Sequence, residues 1–273
     1  MKKFLKIAVI VVVMLVLLHV WCSRRMDKED WILRSDRIPA AFDGYRITLI
    51  TDLHGAVFGK DSQKLLSAVK SSDPDLIAIS GDLVDKISNP DMLEPLLPEL
   101  VAIAPTCYVT GNHEWTRDDL EDVLKKIEGY GVTVLRNQWQ QITIDGQSIV
   151  LAGTEDPNGY ADQMQPEDLV AQIRETVPGD PYIVMLYHRN DAINRWAELD
   201  VDLVLSGHGH GGVVRLPLIG GLIDVDRSLF PKYCDGLYQK DRTAMAVSRG
   251  LSGLRFWNSP HLPTIVLESV NIS

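Results

Sequence analysis

An α/β fold is what this sequence predicts, on three observations. Apolar runs of strand length occupy residues 46–50, 75–79, 106–110, 181–187 and 201–205, and segments of helical periodicity separate several of them. Each run stops at residues that carry carboxylate, amide or imidazole groups: Asp52 and His54, Asp82, Asn112 and His113, His188, and finally His208 and His210. In open α/β sheets, ligands bind at the carboxyl ends of the strands. The third observation is bulk: 273 residues with 45% hydrophobic content are enough for one large domain or two small ones.

The chain opens on a segment of a different kind. Lys2, Lys3 and Lys6 lead into an unbroken apolar run, residues 7–18, followed by His19-Val20-Trp21. A charged start and an apolar core of this length describe either a membrane anchor or a cleaved signal. No small-x-small cleavage site follows, and bulky Trp21 before Cys22 argues against a lipidated cysteine. The anchor is therefore the preferred reading, at the short end of the ~17–25 residues a span needs. Nothing on the segment is polar enough to give a soluble helix its second face. Three lysines and the amino terminus before it, against Arg24, Arg25 and Lys28 after it, put the N-terminus inside and the rest of the chain outside the cytoplasm. Residues 1–25 are expected as the anchor or an uncleaved signal, residues 26–44 as a polar, irregular linker, and residues 45–273 as the folded unit.

Within that unit the elements follow one another closely. After the first strand, Leu65, Leu66 and Val69 lie at helical spacing over residues 60–70, and Asp73-Pro74 ends the helix. Residues 91–103 make a helical connection broken by Pro95 and Pro98. Thr116 with Asp119 three residues on reads as a capping box for a helix whose apolar face is Leu120, Val123, Leu124 and Ile127, stopped by Gly129 and Gly131. Residues 132–135, 141–144 and 148–152 read as short strands, the last two joined by an Asp145-Gly146 turn. Pro166 opens another helix with Leu169, Val170 and Ile173 inward. Gly220-Gly221 and Pro231 mark a loop, and residues 243–247 and 262–267 read as closing strands.

Composition narrows the function classes. A net charge of −10, with acidic residues scattered along the chain, argues against a nucleic-acid surface, which needs a basic patch. Three cysteines, Cys22, Cys107 and Cys234, show no CxxC spacing, so neither a disulfide framework nor a thiolate zinc site is indicated; a Cys22–Cys234 bridge stays open.

The strand ends carry the chemistry. In Ser206-Gly207-His208-Gly209-His210-Gly211-Gly212, extended residues two apart face the same side, so His208 and His210 present two imidazoles to one place. The glycines clear space around them and permit sharp turns. Taken singly, each signal has an ordinary reading: Asp82 a turn residue, Asn112 a Gly-Asn turn, His188 a core histidine, Asp85 a helix cap. Their recurrence at five successive strand ends does not. Imidazole and oxygen donors without thiolate suit Mn, Fe or Zn.

Read in order, Asp52-x-His54, Gly81-Asp82-x-x-Asp85, Gly111-Asn112-His113-Glu114, the isolated His188 and Gly207-His208-x-His210 resemble the five blocks of the calcineurin-like binuclear metallophosphoesterases, over residues 52–210. Arg215-Leu-Pro-Leu-Ile-Gly220, Gly236-Leu-Tyr238 and Ser248-Arg-Gly250 are similar to the membrane-associated YkuE/YaeI-like bacterial branch, from which Gly209 departs, since that branch usually has Thr there. The resemblance implies a four-layer fold, a two-sheet β-sandwich flanked by helices, behind an N-terminal transmembrane helix. It implies two divalent metal ions: one held by Asp52, His54, Asp82 and His210, the other by Asp82, Asn112, His188 and His208, with Asp82 bridging. His113 would stabilise phosphate charge or protonate the leaving oxygen, oriented by Asp85, and Glu114 would stand behind the ligands. Tyr187 and Arg189 flank a ligand, with substrate contact on one reading and core packing and a solvated charge on the other. The implied reaction is hydrolysis of a phosphoester, a diester before a monoester, on a substrate near or linked to the membrane lipid. The rivals are a metal-binding scaffold without turnover, a phosphomonoesterase and an amide hydrolase. Retention of His113 and Asp85, which bind no metal, argues against the scaffold, and the Gly-Asn-His-Glu block argues for phosphorus over an amide.

Overall fold

Strands that read as continuous apolar runs, without alternation, are covered on both faces. In the computed structural model, which describes residues 2–216, 219–225 and 227–270, the first half of the chain runs α1 (Lys2–Arg24), β1 (Asp27–Ser35), β2 (Arg46–Ile50), α2 (Gln63–Ser71), β3 (Leu76–Ser80), α3 (Leu97–Ile103), β4 (Thr106–Val109), α4 (Leu120–Gly129) and β5 (Thr133–Val134). The second half runs β6 (Gln138–Ile144), β7 (Gln147–Gly153), α5 (Pro166–Thr176), β8 (Tyr182–Leu186), α6 (Ile193–Glu198), β9 (Leu203–Ser206), β10 (Val214–Leu216), β11 (Gly220–Ile223), β12 (Gly236–Lys240), β13 (Thr243–Val247) and β14 (His261–Ser269).

Two six-stranded sheets form, in the orders β1-β14-β2-β3-β4-β5 and β12-β13-β9-β8-β7-β6. Within the first, β2, β3, β4 and β5 are parallel; within the second, β7, β8, β9 and β13 are. The sheets pack face to face on an apolar layer that includes Ile47, Leu49, Ala78 and Val109 from one and Leu151, Val184, Leu186 and Leu205 from the other. The outer face of the first sheet is covered by α2, α3 and α4 through Leu65, Val69, Leu100, Val123 and Ile127. That of the second is covered by α5 and α6 through Leu169, Ile173, Ile193 and Trp196. The layers are helix, sheet, sheet, helix, as expected. Ser80 Oγ donates to the Leu205 carbonyl at 2.8 Å, tying β3 to β9 across the sandwich just where both strands end. The ends of β2, β3 and β4 therefore meet the ends of β8 and β9 at one place.

The helix α1 has 23 residues, which at ~1.5 Å per residue is about 34 Å. It is long enough and apolar enough to cross a membrane, and none of its apolar window is buried against the protein. Met1, residues 271–273, Asp226, and Pro217 and Leu218 of the Arg215–Gly220 similarity lie outside the described residues.

The stretch expected as a linker is folded structure. Residues 27–35 form β1, parallel to β14 from Asp27↔His261 to Ser35↔Ser269, and Ile38, Phe42 and Tyr45 are buried in the layer between the sheets. Its charged sequence hides this because β1 is an edge strand, where charges on the open side prevent aggregation. Other differences are local. Thr116 Oγ1 bonds back to the His113 carbonyl at 2.7 Å, and α4 starts at Leu120 behind Asp119, which makes no side-chain cap bond. Gly220-Gly221 lies in β11 rather than a loop, and α6 and β12 were not expected. The Asp145-Gly146 turn has both residues at positive φ, 47° and 76°, as a tight two-residue hairpin requires.

Phe42 separates the two views of this region. It is fully buried, so Phe42→Ala should lower the unfolding free energy by about 3–5 kcal/mol in urea denaturation. A linker residue would give no measurable change.

Candidate metal centre

The loops after the strands are tight and mutually bonded. Asp52, His54, Asp82, His208 and His210 all have left-handed backbones, with φ between 48° and 65°. For non-glycine residues such positions cost about 1–3 kcal/mol each and persist only where surrounding structure enforces them. Here it does: the Asp52 amide donates to Gly81 O at 3.1 Å and the His54 amide to Asp82 O at 2.9 Å, lacing the loop after β2 to the loop after β3. The Gly207 amide donates to His188 O at 2.9 Å. Gly207 itself is required by close approach, since a Cβ there would lie 2.4 Å from Asp52 Oδ2.

Two donor clusters result. In the first, His210 Nε2 is 3.3 Å and His54 Nε2 3.9 Å from Asp52 Oδ1, and the two imidazole nitrogens are 3.1 Å apart. In the second, His188 Nε2 is 3.2 Å from Asp82 Oδ2, 3.1 Å from Asn112 Oδ1 and 3.2 Å from His208 Nδ1. Asp82 Oδ2 also lies 3.8 Å from His54 Nε2, so one carboxylate faces both clusters. All seven residues predicted as ligands are brought together.

The histidines are oriented from behind. His54 Nδ1 is 2.6 Å from Asp85 Oδ1, and His188 Nδ1 is 2.8 Å from the Ser80 carbonyl. Donation of Nδ1–H to these acceptors leaves the Nε2 lone pair for the cluster, the usual way a protein sets the tautomer of a metal-binding histidine. The imidazole nitrogens of His54 and His210, 3.1 Å apart, and of His188 and His208, 3.2 Å apart, stand close enough for one cation to take both members of each pair as ligands. The set of imidazole, carboxylate and amide donors, with no sulfur, fits divalent Mn, Fe or Zn.

Electrostatics follows from burial and pairing. Burial works against charge on Asp52 and Asp82, yet His210 beside the first and His188 beside the second hold both carboxyls well below the usual range. Burial would also push His188 down, but the Asp82 charge and hydrogen bond carry it up to about 10. His54 is raised against its burial by the Asp85 hydrogen bond and then by the Asp52 charge. Burial and the His188 charge push His208 down to about 4.

The remaining predicted residues separate clearly. His113 Nδ1 is 3.0 Å from Asp85 Oδ1, and its side chain is 43% exposed against 9% or less for His54, His188 and His210. Asp85 is thus no helix cap; it serves His54 as well as His113, a sharing that the sequence did not suggest. Glu114 is fully buried and accepts backbone amides from Asp82 at 3.0 Å, Val84 at 3.2 Å and Gly111 at 2.8 Å, fixing the two loops that carry Asp82 and Asn112. Its burial and the Asp82 charge push it up to about 7. Tyr187 packs on Trp196 in the core, and Arg189 is no solvated charge, being paired through both Nε and Nη2 with buried Asp156. Gly209 faces Asn190, whose amide nitrogen would lie 2.4 Å from an added Cβ, so a Thr there needs Asn190 to move. Sequence reasoning also missed Asn258, which donates to the carbonyls of His210 and Gly212 and holds that loop.

Comparison with known proteins agrees with the geometry. The family profile described as calcineurin-like phosphoesterase matches residues 45–212. The chain is 30% identical over 260 residues to the uncharacterized metallophosphoesterase YkuE of Bacillus subtilis, covering 90% of this chain and 87% of that protein. It is 30% identical over 214 residues to an uncharacterized metallophosphoesterase of Aquifex aeolicus, covering 74% and 77%. It is 26% identical over 228 residues to a transmembrane protein with metallophosphoesterase domain of Danio rerio, covering 79% of this chain and half of that protein.

The Asp82 charge raises His188 to about 10, so a cation that takes its Nε2 as a ligand must displace a proton. Calorimetric titration of the metal-free chain with Mn²⁺ at pH 8, in buffers of different ionisation enthalpy, should read net proton release. Affinity should fall as pH is lowered. Binding without proton release would mean that His188 is not a ligand.

Proposed function

The chain belongs to the calcineurin-like phosphoesterase family, and on that premise we propose that it is a binuclear metal-dependent phosphodiesterase acting at a membrane. The observation that carries this reading is Asp82, whose Oδ2 faces His188 of one cluster and His54 of the other. Asp52, His54, Asp82 and His210 would hold one ion, and Asp82, Asn112, His188 and His208 the second. Two such cations, when bound, supply a hydroxide nucleophile at neutral pH and neutralise the phosphate oxygens during in-line attack.

The protein's own groups do the rest. His113 is the exposed histidine of the set, so it is the one able to meet substrate. With its Nδ1 held by Asp85, its other nitrogen is free to protonate the leaving oxygen. The His113 backbone amide donates to Asp82 Oδ1 at 2.9 Å, so the acid and the shared carboxylate are fixed relative to one another. Glu114 keeps both loops in register through its three amide bonds.

Location rests on α1, an apolar helix of spanning length. Its flanking charges favour an N-terminus inside and a catalytic unit outside the cytoplasm. The preference for a substrate linked to lipid is supported by this anchor and by similarity to a relative named as transmembrane. On this reading α1 is the membrane segment, and the catalytic unit is counted from β1, near Asp27, rather than from residue 45.

The test is hydrolysis by the purified full chain in detergent, with added Mn²⁺, of bis(p-nitrophenyl) phosphate against p-nitrophenyl phosphate. Faster diester cleavage, abolished by chelation, supports the proposal; cleavage of the monoester alone reassigns the substrate class, and cleavage of neither leaves a metal scaffold. His113→Ala should keep both metals and lose about 10²–10⁴ in rate, with a smaller loss for esters of good leaving groups, which need no proton. Equal losses across leaving groups would leave only phosphate stabilisation to His113. Asp82→Asn should instead lower metal content, measured by elemental analysis, from about two ions per chain.

A further inference from the structure

Beside the end of α1 lies a small sheet outside the two large ones. Phe256 bridges Val214 of β10, Val214 pairs with Ile223 of β11, and Ile223 bridges Leu229. The platform and its edges are unusually apolar for a surface. Ile219 is 62% exposed, Leu229 71%, Phe230 68%, Leu254 66% and Phe256 43%. Contiguous exposed apolar side chains on a folded domain mark a surface that something covers.

The covering partner is indicated by α1. Trp257 Nε1 donates to the Leu15 carbonyl at 2.8 Å, and the Phe256 ring lies 5.9 Å from that of His19. Leu15 is eight residues before Ser23, at the end of the candidate span, which at ~1.5 Å per residue is about 12 Å along the helix. A helix that crosses a bilayer therefore carries Trp257 and Phe256 to the depth of its own last turns. Trp21, Ile219 and Trp257, with the charged Asp27, Arg215 and Arg249, line a cleft of about 420 Å³ between helix and platform, so apolar side chains of both stand at its rim. Exposed Arg25 stacks over Trp21 at 5.2 Å while pairing with Asp27 at 2.8 Å, and exposed Arg227 lies just beyond β11, aromatic and basic residues of the kind found at headgroup level.

The platform also leads to the metal centre. The Ser252 amide donates to Asp52 O at 2.7 Å, and a Cβ on Gly253 would lie 2.1 Å from His210 Cε1. Leu254, Phe256 and Trp257 follow directly, and Asn258 then bonds the His210 loop.

We propose that the face made by Ile219, Leu229, Phe230, Leu254, Phe256 and Trp257 docks into the lipid bilayer beside α1 and holds the His210 loop at headgroup level. The phosphoester taken by the site is then one resident in the membrane surface. This rests on reading α1 as a membrane helix and the site as a phosphoesterase. Docking of this kind differs from tethering alone, because it fixes the catalytic unit's orientation as well as its local concentration.

The test uses the full chain reconstituted into vesicles of phosphatidylcholine with a minority of phosphatidylglycerol, doped with a phosphatidylcholine whose acyl chain carries a diazirine. After irradiation, lipid adducts are mapped by mass spectrometry. Adducts on peptides covering residues 219–230 and 251–257, in addition to α1, are the expected result, with none at residues 145–147 or at Glu175 on the opposite end. Phe230→Asp with Leu254→Asp should remove the platform adducts while leaving those on α1 and leaving hydrolysis of bis(p-nitrophenyl) phosphate unchanged. Adducts confined to α1, or platform peptides cross-linked to a second copy of the chain, overturn the proposal. Labelling needs no turnover, so a platform labelled on an inactive protein supports docking while refuting the hydrolase reading, and an active protein with an unlabelled platform does the reverse.

Discussion

Asp52 and Asp82 have almost no access to water, and the site is organised around making that tolerable. An isolated buried carboxylate costs several kcal/mol, so each must be met by positive charge and hydrogen bonds. Asp52 is met by His210, by the His208 amide at 3.1 Å and by the Thr51 hydroxyl at 2.9 Å. Asp82 is met by His188 and the His113 amide. These partners come from both sheets, so the two carboxylates can be satisfied only when the sandwich is closed. In the same way, cations bound there would be ligands of the folded state alone, and metal affinity becomes stability.

The supporting groups are as specific as the donors. Asp85 holds a proposed ligand and the proposed acid at once, which couples metal geometry to proton transfer: disturbing Asp85 moves both. Glu114 spends its whole carboxylate on three backbone amides, and Arg189 is committed to Asp156. Glu114 lies two residues after Asn112 and Arg189 one after His188, and both are taken up in holding the protein itself. Proximity in sequence to a ligand is therefore a poor guide to role, because alternate residues in a tight loop leave on opposite sides.

At the N-terminal end, the apolar helix α1 is joined closely to the folded sheets. After α1 the chain enters β1 within three residues and pairs there with the last strand, leaving no flexible spacer. Arg249 reinforces this, pairing with Asp27 of β1 at 2.9 Å and with Asp235 at 2.8 Å, next to the loop that packs on the ligands.

The α/β class, the strands that bear ligands, the apolar helix and the seven donors were legible because each is a local pattern: an apolar run, a period, a polar residue at a fixed offset. β1 was not, because Asp27-Lys28-Glu29-Asp30 has neither apolar content nor alternation, and its pairing is made by backbone bonds to a strand at the other end of the chain. Nor were α6, too short to show a period, or the shared role of Asp85, which exists only because the loops after β2 and β3 cross. By itself the sequence determined which residues are able to bind metal and that they stand at strand ends. The tertiary structure alone decided which donors face one another, which charged neighbours are consumed in holding loops, and that the platform bearing Phe256 and Trp257 lies against α1. The reason is physical: a residue's chemistry is written locally, but its partner is set by which strands pair and which sheets stack, and those choices are made by the whole chain at once.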